Sequence, residues 1–285
     1  SSEFVEKASG IKSRYVMYKE GMLDPERMAP IFKPALAGDE PETVTMAIAA
    51  GREAMEQANK KPEDIDLVIM GTTNHQRPYP SAAVEVQQKL GIKGFAYDMG
   101  IACSTMTFAM INAYAALKAG TAKCALVVNP EFASPQINLK SRDSHFIFGD
   151  VATATVLELA ETAKSEHVYD VLSTKALTKF SNNIRSNFGY MTRAEDVDPY
   201  GPDKLFHQAG RKVFKEVCPL AAAHIEAHLA SHDITPEGVK RWWLHQANIN
   251  MNTLICKRLL GRDADRTEAP IVLDEFANTA SAGSV

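Results

Sequence analysis

Residues 94–108 read GFAYDMGIACSTMTF, and this stretch decides the fold. A short apolar strand is predicted up to Cys103, and a long apolar helix is predicted over residues 103–118, ended by Gly120. The pattern places a thiol at a strand-to-helix junction, on the first turn of the helix. The helix dipole and free backbone N–H groups there favour the thiolate, a strong nucleophile for a thioester carbonyl. The alternative interpretation of Cys103 is a small buried core residue.

The segments on either side of this stretch alternate between helical and strand patterns. Helices are predicted over residues 41–59 and 80–90, and strands over residues 66–71, 124–128 and 152–159. Residues 176–204 are polar and irregular, which predicts a surface excursion. The alternation predicts an α/β protein.

The second half of the chain repeats the plan of the first. A helix over residues 205–229 is followed by a Pro-Glu turn at Pro236 and a predicted strand over residues 241–245. An offset of 174 residues (236 − 62) carries Pro62 of the first half onto Pro236. The same offset carries the end of the strand at residues 66–71 onto His245. The repeat favours a duplicated fold with pseudo-twofold symmetry.

Composition excludes several classes of protein. The chain has 285 residues, 45% hydrophobic and 23% charged, with a net charge of −4, so it is long enough for one large domain or two fused halves. Its lysines and arginines are scattered, which argues against nucleic-acid binding. No apolar run reaches the length of a membrane span, and residues 1–5 do not form a signal peptide.

The four cysteines have no CxxC spacing, which argues against a zinc site or a disulfide framework. We therefore expect free thiols, a cytoplasmic protein and no bound metal.

Two further polar residues follow predicted strands. His245 ends the strand at residues 241–245, and Asn278 follows a predicted strand over residues 270–276. The carboxyl ends of strands in an open α/β sheet are where sites assemble, so Cys103, His245 and Asn278 are the candidate catalytic residues. His and Asn can donate hydrogen bonds to a thioester oxygen as negative charge grows on it. Taken singly, His245 could be an ordinary strand-end histidine and Asn278 a turn or N-cap residue.

Several segments together resemble the ketoacyl-ACP synthase III family of thiolase-fold condensing enzymes. They are Ala102-Cys103-Ser104, Leu244-His245-Gln246-Ala247-Asn248, Asn278-Thr279, Phe148-Gly149-Asp150, Pro80-Ser81-Ala82-Ala83, Leu90-Gly91-Ile92-Lys93-Gly94 and Ser9-Gly10-Ile11-Lys12-Ser13-Arg14. They occur in the family's order and spacing. The thiolases' second cysteine, in a Cys-Gly-Gly setting, is not found here.

The resemblance implies a thiolase-like fold of two duplicated α/β halves in an α-β-α-β-α layering, divided here into residues 1–160 with Cys103 and residues 161–285 with His245 and Asn278. It implies that Cys103 accepts an acyl group from acyl-CoA or acyl-ACP. His245 and Asn278 then stabilise the enolate formed when malonyl-ACP loses CO₂, in fatty acid or related lipid biosynthesis. It also implies a homodimer that binds acyl carrier protein and needs no cofactor.

The departures from the family concern the first substrate. Family members that use acetyl-CoA grip it with a Trp and two Arg, where this chain has Phe4, Ala8 and Asn250. Arg142 matches a family arginine at the mouth of the CoA site. The loss of two cations weakens the expected grip on a phosphate, so we expect a divergent member that accepts a longer chain or a carrier-bound donor. Phe4 could stack an adenine or simply pack into the core.

By the same resemblance, Phe148, His207 and Gly210 line the pantetheine channel, where Val151 replaces the family's usual glycine. Gly210 would permit close backbone approach, or it could be an ordinary glycine in a helix. The family pattern also has a strand before Ser1 and further strands after Val285.

Other functions fit parts of the pattern. An acyltransferase, or a non-decarboxylating condensing enzyme of secondary metabolism, would also use Cys103. A non-catalytic scaffold or a cysteine protease fits less well, because the full Cys-His-Asn set is present and no secretory feature is found.

Overall fold

The computed structural model describes residues 2–33, 38–199 and 201–284. Its α-helices are α1 (Ser2–Ser9), α2 (Glu42–Gln57), α3 (Ala82–Leu90), α4 (Thr105–Lys118), α5 (Gly210–Ala230), α6 (Ile249–Leu260) and α7 (Leu273–Phe276). Its strands are β1 (Leu67–Gly71), β2 (Phe95–Met99), β3 (Cys124–Glu131), β4 (Val151–Glu158), β5 (Ile184–Arg185) and β6 (His207–Gln208). The α/β prediction is confirmed, and each helix and strand predicted in the first half is present within a few residues.

The main sheet has the strand order β2-β1-β3-β4. Strand β1 pairs in parallel with both β2 and β3, and β4 pairs antiparallel to β3. The carboxyl ends of β1, β2 and β3 therefore lie at one edge. Cys103 follows β2 at that edge, as predicted.

Helices cover both faces of this sheet. Successive side chains of β1 and β3 point to opposite faces, as strand geometry requires. One face carries Val68, Met70, Leu126 and Val128 against α2 and α3, and the other carries Leu67, Ile69, Ala125 and Val127 against α4. All of these strand residues are fully buried, which is typical of a parallel sheet packed on both sides.

The strands predicted in the second half are not formed in the described residues. Residues 241–245 have no regular secondary structure. They reach the segment at 267–268 through a backbone bond from Trp242 N to Glu268 O (2.7 Å) and a side-chain bond from Arg241 Nε to Thr267 O (3.2 Å). The predicted strand at residues 270–276 is also wrong, because its second part forms the helical turn α7. The side-chain oxygen of Gln246 accepts the backbone N–H groups of Val272 (3.2 Å) and Leu273 (3.3 Å), which satisfies donors that open a helix.

Helices α5 and α6 supply the core of the second half. Cys218, Ala222, Ile255, Cys256 and Leu259 are buried there together with Trp242. This core is separate from the two clusters of the main sheet.

The repeat seen in the sequence has a counterpart in backbone geometry. Asn59 and Asp233, 174 residues apart (233 − 59), have φ of 54° and 56° just after α2 and α5. Each is followed by the same helix-ending bond, Lys60 N to Met55 O (2.8 Å) and Ile234 N to Leu229 O (3.1 Å). A 3₁₀ turn then begins at Pro62 and at Pro236. The division at residue 160 remains a proposal.

Residues 176–199 and 201–204 are largely exposed and irregular, as predicted, apart from the short ribbon in which β5 pairs with β6. None of the helices in the described part of the chain has the length and apolar character that a membrane crossing needs.

Candidate active site

Cys103 lies in a tight turn between β2 and α4. The helix begins at Thr105 with Ser104 as its N-cap, so Cys103 precedes the first helical turn instead of lying in it. Ala102 has φ of 43°, a left-handed conformation that disfavours L-residues other than glycine. The Thr105 hydroxyl accepts the Ile101 N–H (2.8 Å) and donates to the Ala102 carbonyl (2.6 Å). These two bonds hold the turn that presents the thiol, which we call the Cys103 elbow (residues 101–105).

The pKa of the Cys103 thiol is raised, which favours its protonated form at neutral pH. Burial of the sulfur, followed by the negative charge of Glu131, raises its pKa from 9.0 to about 12, although part of the residue reaches solvent. A backbone hydrogen bond lowers the pKa by less. The expectation that the helix N-terminus would favour the thiolate is therefore wrong for the resting protein.

Asn278 lies in a loop that runs beside Phe148. Its N–H donates to the Ile147 carbonyl (2.8 Å), and its carbonyl accepts the Gly149 N–H (3.1 Å). The side-chain oxygen accepts the Ala280 N–H at 2.9 Å, so Asn278 does act as a turn residue. This bond uses the amide oxygen, and the amide nitrogen is the donor that oxyanion stabilisation requires.

The Phe148-Gly149-Asp150 segment supports this loop from the other side. A Cβ on Gly149 would lie 2.4 Å from the Phe276 carbonyl oxygen, so only glycine allows the two backbones to meet here. Phe148 is 2% exposed and packs edge-to-face on Phe206, with 4.7 Å between ring centroids. The structure therefore places Phe148 in the core instead of on an open channel wall.

His245 lies directly after residues 241–244, which form no regular secondary structure. Burial lowers the pKa of its imidazole from 6.5 to about 4, so the ring is neutral at neutral pH. A neutral imidazole can donate one hydrogen bond and accept another, as its predicted role requires. The next residue, Gln246, is 3% exposed and donates to the carbonyls of Leu244 (2.9 Å) and Pro270 (3.3 Å).

Described contacts connect the three segments. A Cβ on Gly283 would lie 2.9 Å from the Thr279 hydroxyl and 3.1 Å from Cβ of Gln246, which puts the neighbours of His245 and Asn278 together. Ser281 of the Asn278 loop bonds Glu131, whose charge acts on Cys103. The convergence of thiol, imidazole and amide on one substrate remains a proposal.

Phe4 and Arg142 line one open cavity of about 730 Å³. Its lining residues are Ser2, Phe4, Val5, Arg142, Asp143 and His145. The structure thus brings together two residues that the sequence predicts for the CoA mouth. Asp143 also lines the cavity, so the positive charge of Arg142 does not act there alone.

Ala8 and Asn250, the two positions that carry arginine in acetyl-CoA-using members of the family, contact each other. The Asn250 side-chain amide donates to the Ala8 carbonyl at 3.2 Å, and that of Asn248 donates to the same oxygen at 3.0 Å. These bonds join α1 to the start of α6. Asn250 therefore has an observed structural role, and its predicted substrate contact stays a prediction.

His207 lines a second cavity of about 250 Å³ with Arg185, Asp203 and Phe206. Gly210 is the first residue of α5, and a Cβ there would meet the Gln208 side chain at an ordinary 3.8 Å. No close backbone approach is observed at Gly210, so the interpretation as a helix glycine fits better.

Two residues of this region were missed by the sequence reasoning. Glu131 is a fully buried carboxylate at the end of a wholly buried strand, and Thr105 is the fully buried residue that holds the Cys103 elbow. The available signal was an acidic residue closing an apolar run, because a fully buried Glu is rare unless its charge is compensated.

Comparison with known proteins gives a consistent family. Residues 97–176 match the family described as 3-Oxoacyl-[acyl-carrier-protein (ACP)] synthase III. The chain is 54% identical over 286 aligned residues to a beta-ketodecanoyl-[acyl-carrier-protein] synthase of Pseudomonas aeruginosa, covering all of this chain and 81% of that protein. It is 33% identical over 251 residues to a beta-ketoacyl-[acyl-carrier-protein] synthase III of Brucella anthropi, covering 87% of this chain and 74% of the relative.

Solved structures agree on the fold. A 3-oxoacyl-[acyl-carrier-protein] synthase III from Aquifex aeolicus superposes with a TM-score of 0.78 at 26% identity, over 99% of this chain and 79% of that chain. A priming beta-ketosynthase from the R1128 polyketide pathway superposes with a TM-score of 0.79 at 23% identity, over 100% of this chain and 77% of that chain. The predicted thiolase-like fold is confirmed.

Proposed function

Because this chain belongs to the 3-oxoacyl-[acyl-carrier-protein] synthase III family, we propose that its condensation runs through Cys103, His245 and Asn278. The chain is a condensing enzyme of the acyltransferase type, acting in fatty acid synthesis. The observation that supports the assignment of roles is the Cys103 elbow, which presents a thiol at the sheet edge where Glu131 of β3 also bonds Ser281 of the Asn278 loop.

In the first step, Cys103 takes an acyl group from a thioester donor. Its sulfur forms a bond to the acyl carbon, the donor's carbon–sulfur bond breaks, and the thiol proton passes to the departing thiol. The reaction exchanges one thioester for another. Because the resting thiol is protonated, attack requires the proton to leave as the carbon–sulfur bond forms.

In the second step, the thioester of malonyl-ACP loses CO₂. The electron pair of the broken carbon–carbon bond becomes an enolate, which the imidazole N–H of His245 and the amide N–H of Asn278 stabilise at the carbonyl oxygen. The enolate carbon then attacks the acyl group on Cys103. The carbon–sulfur bond to Cys103 breaks, the sulfur leaves as a thiolate that takes up a proton from solvent, and a 3-oxoacyl product is released on the carrier.

The donor is proposed to carry a medium-length acyl chain. The Pseudomonas relative is named for a ketodecanoyl product, with ten acyl carbons. Since malonyl contributes two carbons after CO₂ is lost, such a product requires an eight-carbon acyl donor. The Ala8–Asn250 contact supports a donor longer than acetyl, because it occupies the two positions where acetyl-CoA-using members of the family have arginine.

The remaining partners are also proposals. Acyl carrier protein as the malonyl carrier is supported by the names of the relatives. Phe4 and Arg142 line one cavity, which is compatible with either a CoA donor or a carrier-bound donor. A homodimer is proposed from the family resemblance, and a cytoplasmic location is supported by four free cysteines.

The test is to incubate the protein with malonyl-ACP and acyl-CoA or acyl-ACP donors of two to twelve carbons, while following CO₂ release and the mass of Cys103. We expect acylation of Cys103, CO₂ release and the fastest turnover with donors longer than acetyl. Cys103→Ala should abolish acylation. His245→Ala should leave acylation intact and reduce CO₂ release by about 10²–10³-fold.

Other outcomes would contradict parts of this proposal. Acylation without CO₂ release would favour the acyltransferase or the non-decarboxylating enzyme. A His245→Ala variant that condenses normally would remove the assigned role of His245. Absence of acylation in the correctly folded protein would favour a scaffold.

A further inference from the structure

Glu131 is a buried carboxylate with an unusual number of donors. It is 0% exposed at the end of β3, a strand in which every residue is buried. Its side-chain oxygens accept the Thr73 N–H (3.1 Å) and hydroxyl (2.6 Å), the Ser281 N–H (3.2 Å) and hydroxyl, the Thr72 hydroxyl (3.3 Å) and the Asn129 amide (3.3 Å). These convergent donors favour the ionised form, but burial weighs more, so the pKa of Glu131 is raised above its usual value.

These donors come from three different segments. Thr72 and Thr73 follow β1, Asn129 lies within β3, and Ser281 belongs to the Asn278 loop. The Asn129 amide also donates to the carbonyl of Gly71 (2.7 Å) and to the Ser281 hydroxyl (2.7 Å). Glu131 is therefore the centre of a buried network that holds the Asn278 loop on the edge of the sheet.

We propose that Glu131 is a positioning residue of the active site, whose carboxylate fixes the Asn278 loop beside the Cys103 elbow. This inference rests on the proposed function, because it assigns Asn278 to the second substrate. It adds a residue that contacts neither substrate. Asn278, whose loop Glu131 holds through Ser281, would bind the malonyl thioester.

Glu131 is also joined to the turn that carries the thiol, because its donor Thr72 contacts the residue before the Cys103 elbow: a Cβ on Gly100 would lie 3.2 Å from the Thr72 carbonyl oxygen. Burial is the larger cause of the raised pKa of Cys103, and the negative charge of Glu131 is the second cause. The groups that face Glu131 from β1, β3 and the Asn278 loop are hydroxyls, amides and backbone N–H groups, so they do not cancel its charge with a cation. One side chain thus orients the machinery for the second step and restrains ionisation of the nucleophile for the first.

Glu131→Gln separates the charge from the shape. The amide oxygen of Gln can accept the N–H groups of Thr73 and Ser281. Its NH₂ group can donate to the hydroxyls of Thr72 and Thr73, which are able to turn and accept. The variant therefore keeps the size of the side chain and removes the negative charge.

The first measurement is the alkylation rate of Cys103 by iodoacetamide against pH, with the site read by mass spectrometry. In Glu131→Gln the midpoint of this profile should move to lower pH. If the midpoint falls by one pH unit, the rate at a fixed pH below it should rise only about threefold, since a less basic thiolate is also less nucleophilic. An unmoved profile would overturn the electrostatic half of the proposal.

Asp150→Asn is the matched control. Asp150 is 7% exposed and accepts the N–H and hydroxyl of Ser134 and the Met17 N–H, so it is a comparable buried carboxylate. Its charge is not among the causes that raise the pKa of Cys103. We expect Asp150→Asn to leave the midpoint of the alkylation profile unchanged. An equal shift of the midpoint in both variants would mean that the loss of any buried carboxylate has this effect, and would overturn the specific role of the Glu131 charge.

Ser281→Ala tests the positioning half and keeps the charge. It removes one donor of the Asn278 loop and should reduce CO₂ release by roughly 10- to 100-fold at an unchanged rate of Cys103 acylation. Full CO₂ release in Ser281→Ala would overturn the positioning role. If the wild-type protein itself acylates without CO₂ release, the proposed function fails, whereas the alkylation profile still tests Glu131.

Discussion

Cys103 and His245 change pKa in opposite directions for the same main reason. Burial disfavours the charged form of each, which raises the pKa of the thiol to about 12 and lowers that of the imidazole to about 4. The resting site therefore holds two neutral side chains. This neutrality suits His245, because a neutral imidazole serves as a hydrogen-bond donor across the physiological range.

The pKa of His245 leads to a prediction about pH dependence. Its folded pKa lies below the ordinary value, so the neutral ring persists as pH falls from about 6.5 until it is protonated near pH 4. We expect CO₂ release from acylated enzyme to keep its rate at pH 6 and to fall only nearer pH 4. A stopped-flow pH series checks this, and an inflection near 6.5 that His245→Gln abolishes would contradict it.

The position of Cys103 was predictable from sequence, but its protonation state was not. A helix terminus contributes about 0.3–1 kcal/mol to an exposed charge. The rise in pKa from 9.0 to about 12 corresponds to something on the order of 4 kcal/mol in the opposite direction. The larger effect comes from packing and from Glu131, which lies 28 residues away in sequence (131 − 103) and is brought near by the sheet.

At the level of elements, the Cys103 elbow depends on one hydroxyl. The Thr105 side chain is fully buried and bonds both the Ile101 N–H and the Ala102 carbonyl, which fixes a residue with positive φ. This also explains why α4 starts two residues later than predicted. The apolar pattern reports the face of a helix, whereas its first residue is set by local hydrogen bonds.

Thr105→Val should therefore weaken both stability and the first step. Valine has nearly the same shape but removes the acceptor of the part-buried Ile101 N–H, so the free energy of unfolding should fall by about 0.5–1.5 kcal/mol. Acylation of Cys103 should slow as the turn relaxes. Urea unfolding measures the change in stability, and the acylation rate measures the change in the first step. Thr105→Ser keeps the hydroxyl and should retain most of the stability and most of the acylation rate. Equal losses in the Ser and Val variants would show that the hydroxyl does not hold the turn.

The two strands predicted in the second half of the chain, which the structure does not form, are also explained at the level of elements. Short runs of apolar residues within 241–245 and 270–276 indicate strands, but a strand needs a neighbour to accept its backbone bonds. Around residue 272 that acceptor is the Gln246 side chain, which favours a helical turn. A side chain contributed from 26 residues away (272 − 246) is not visible in the local pattern.

At the level of the whole molecule, the repeat provides a paired prediction. Asn59 and Asp233 hold the same left-handed turn after α2 and α5. Asn59→Ala and Asp233→Ala should each lower the free energy of unfolding by about 1 kcal/mol, because alanine disfavours positive φ. The corresponding Gly variants should retain stability, and the two Ala effects should add because the sites are independent. Urea unfolding of the single and double variants tests this, and strong non-additivity would contradict independent turns.

The protonation of Cys103 is shared by the other thiols of the chain. Burial also raises the pKa of Cys124, Cys218 and Cys256. Peroxide attacks thiolates far faster than thiols, so a chain whose four cysteines stay protonated is slow to form sulfenic acid. We therefore expect Cys103 to react slowly with peroxide while the enzyme waits for a donor.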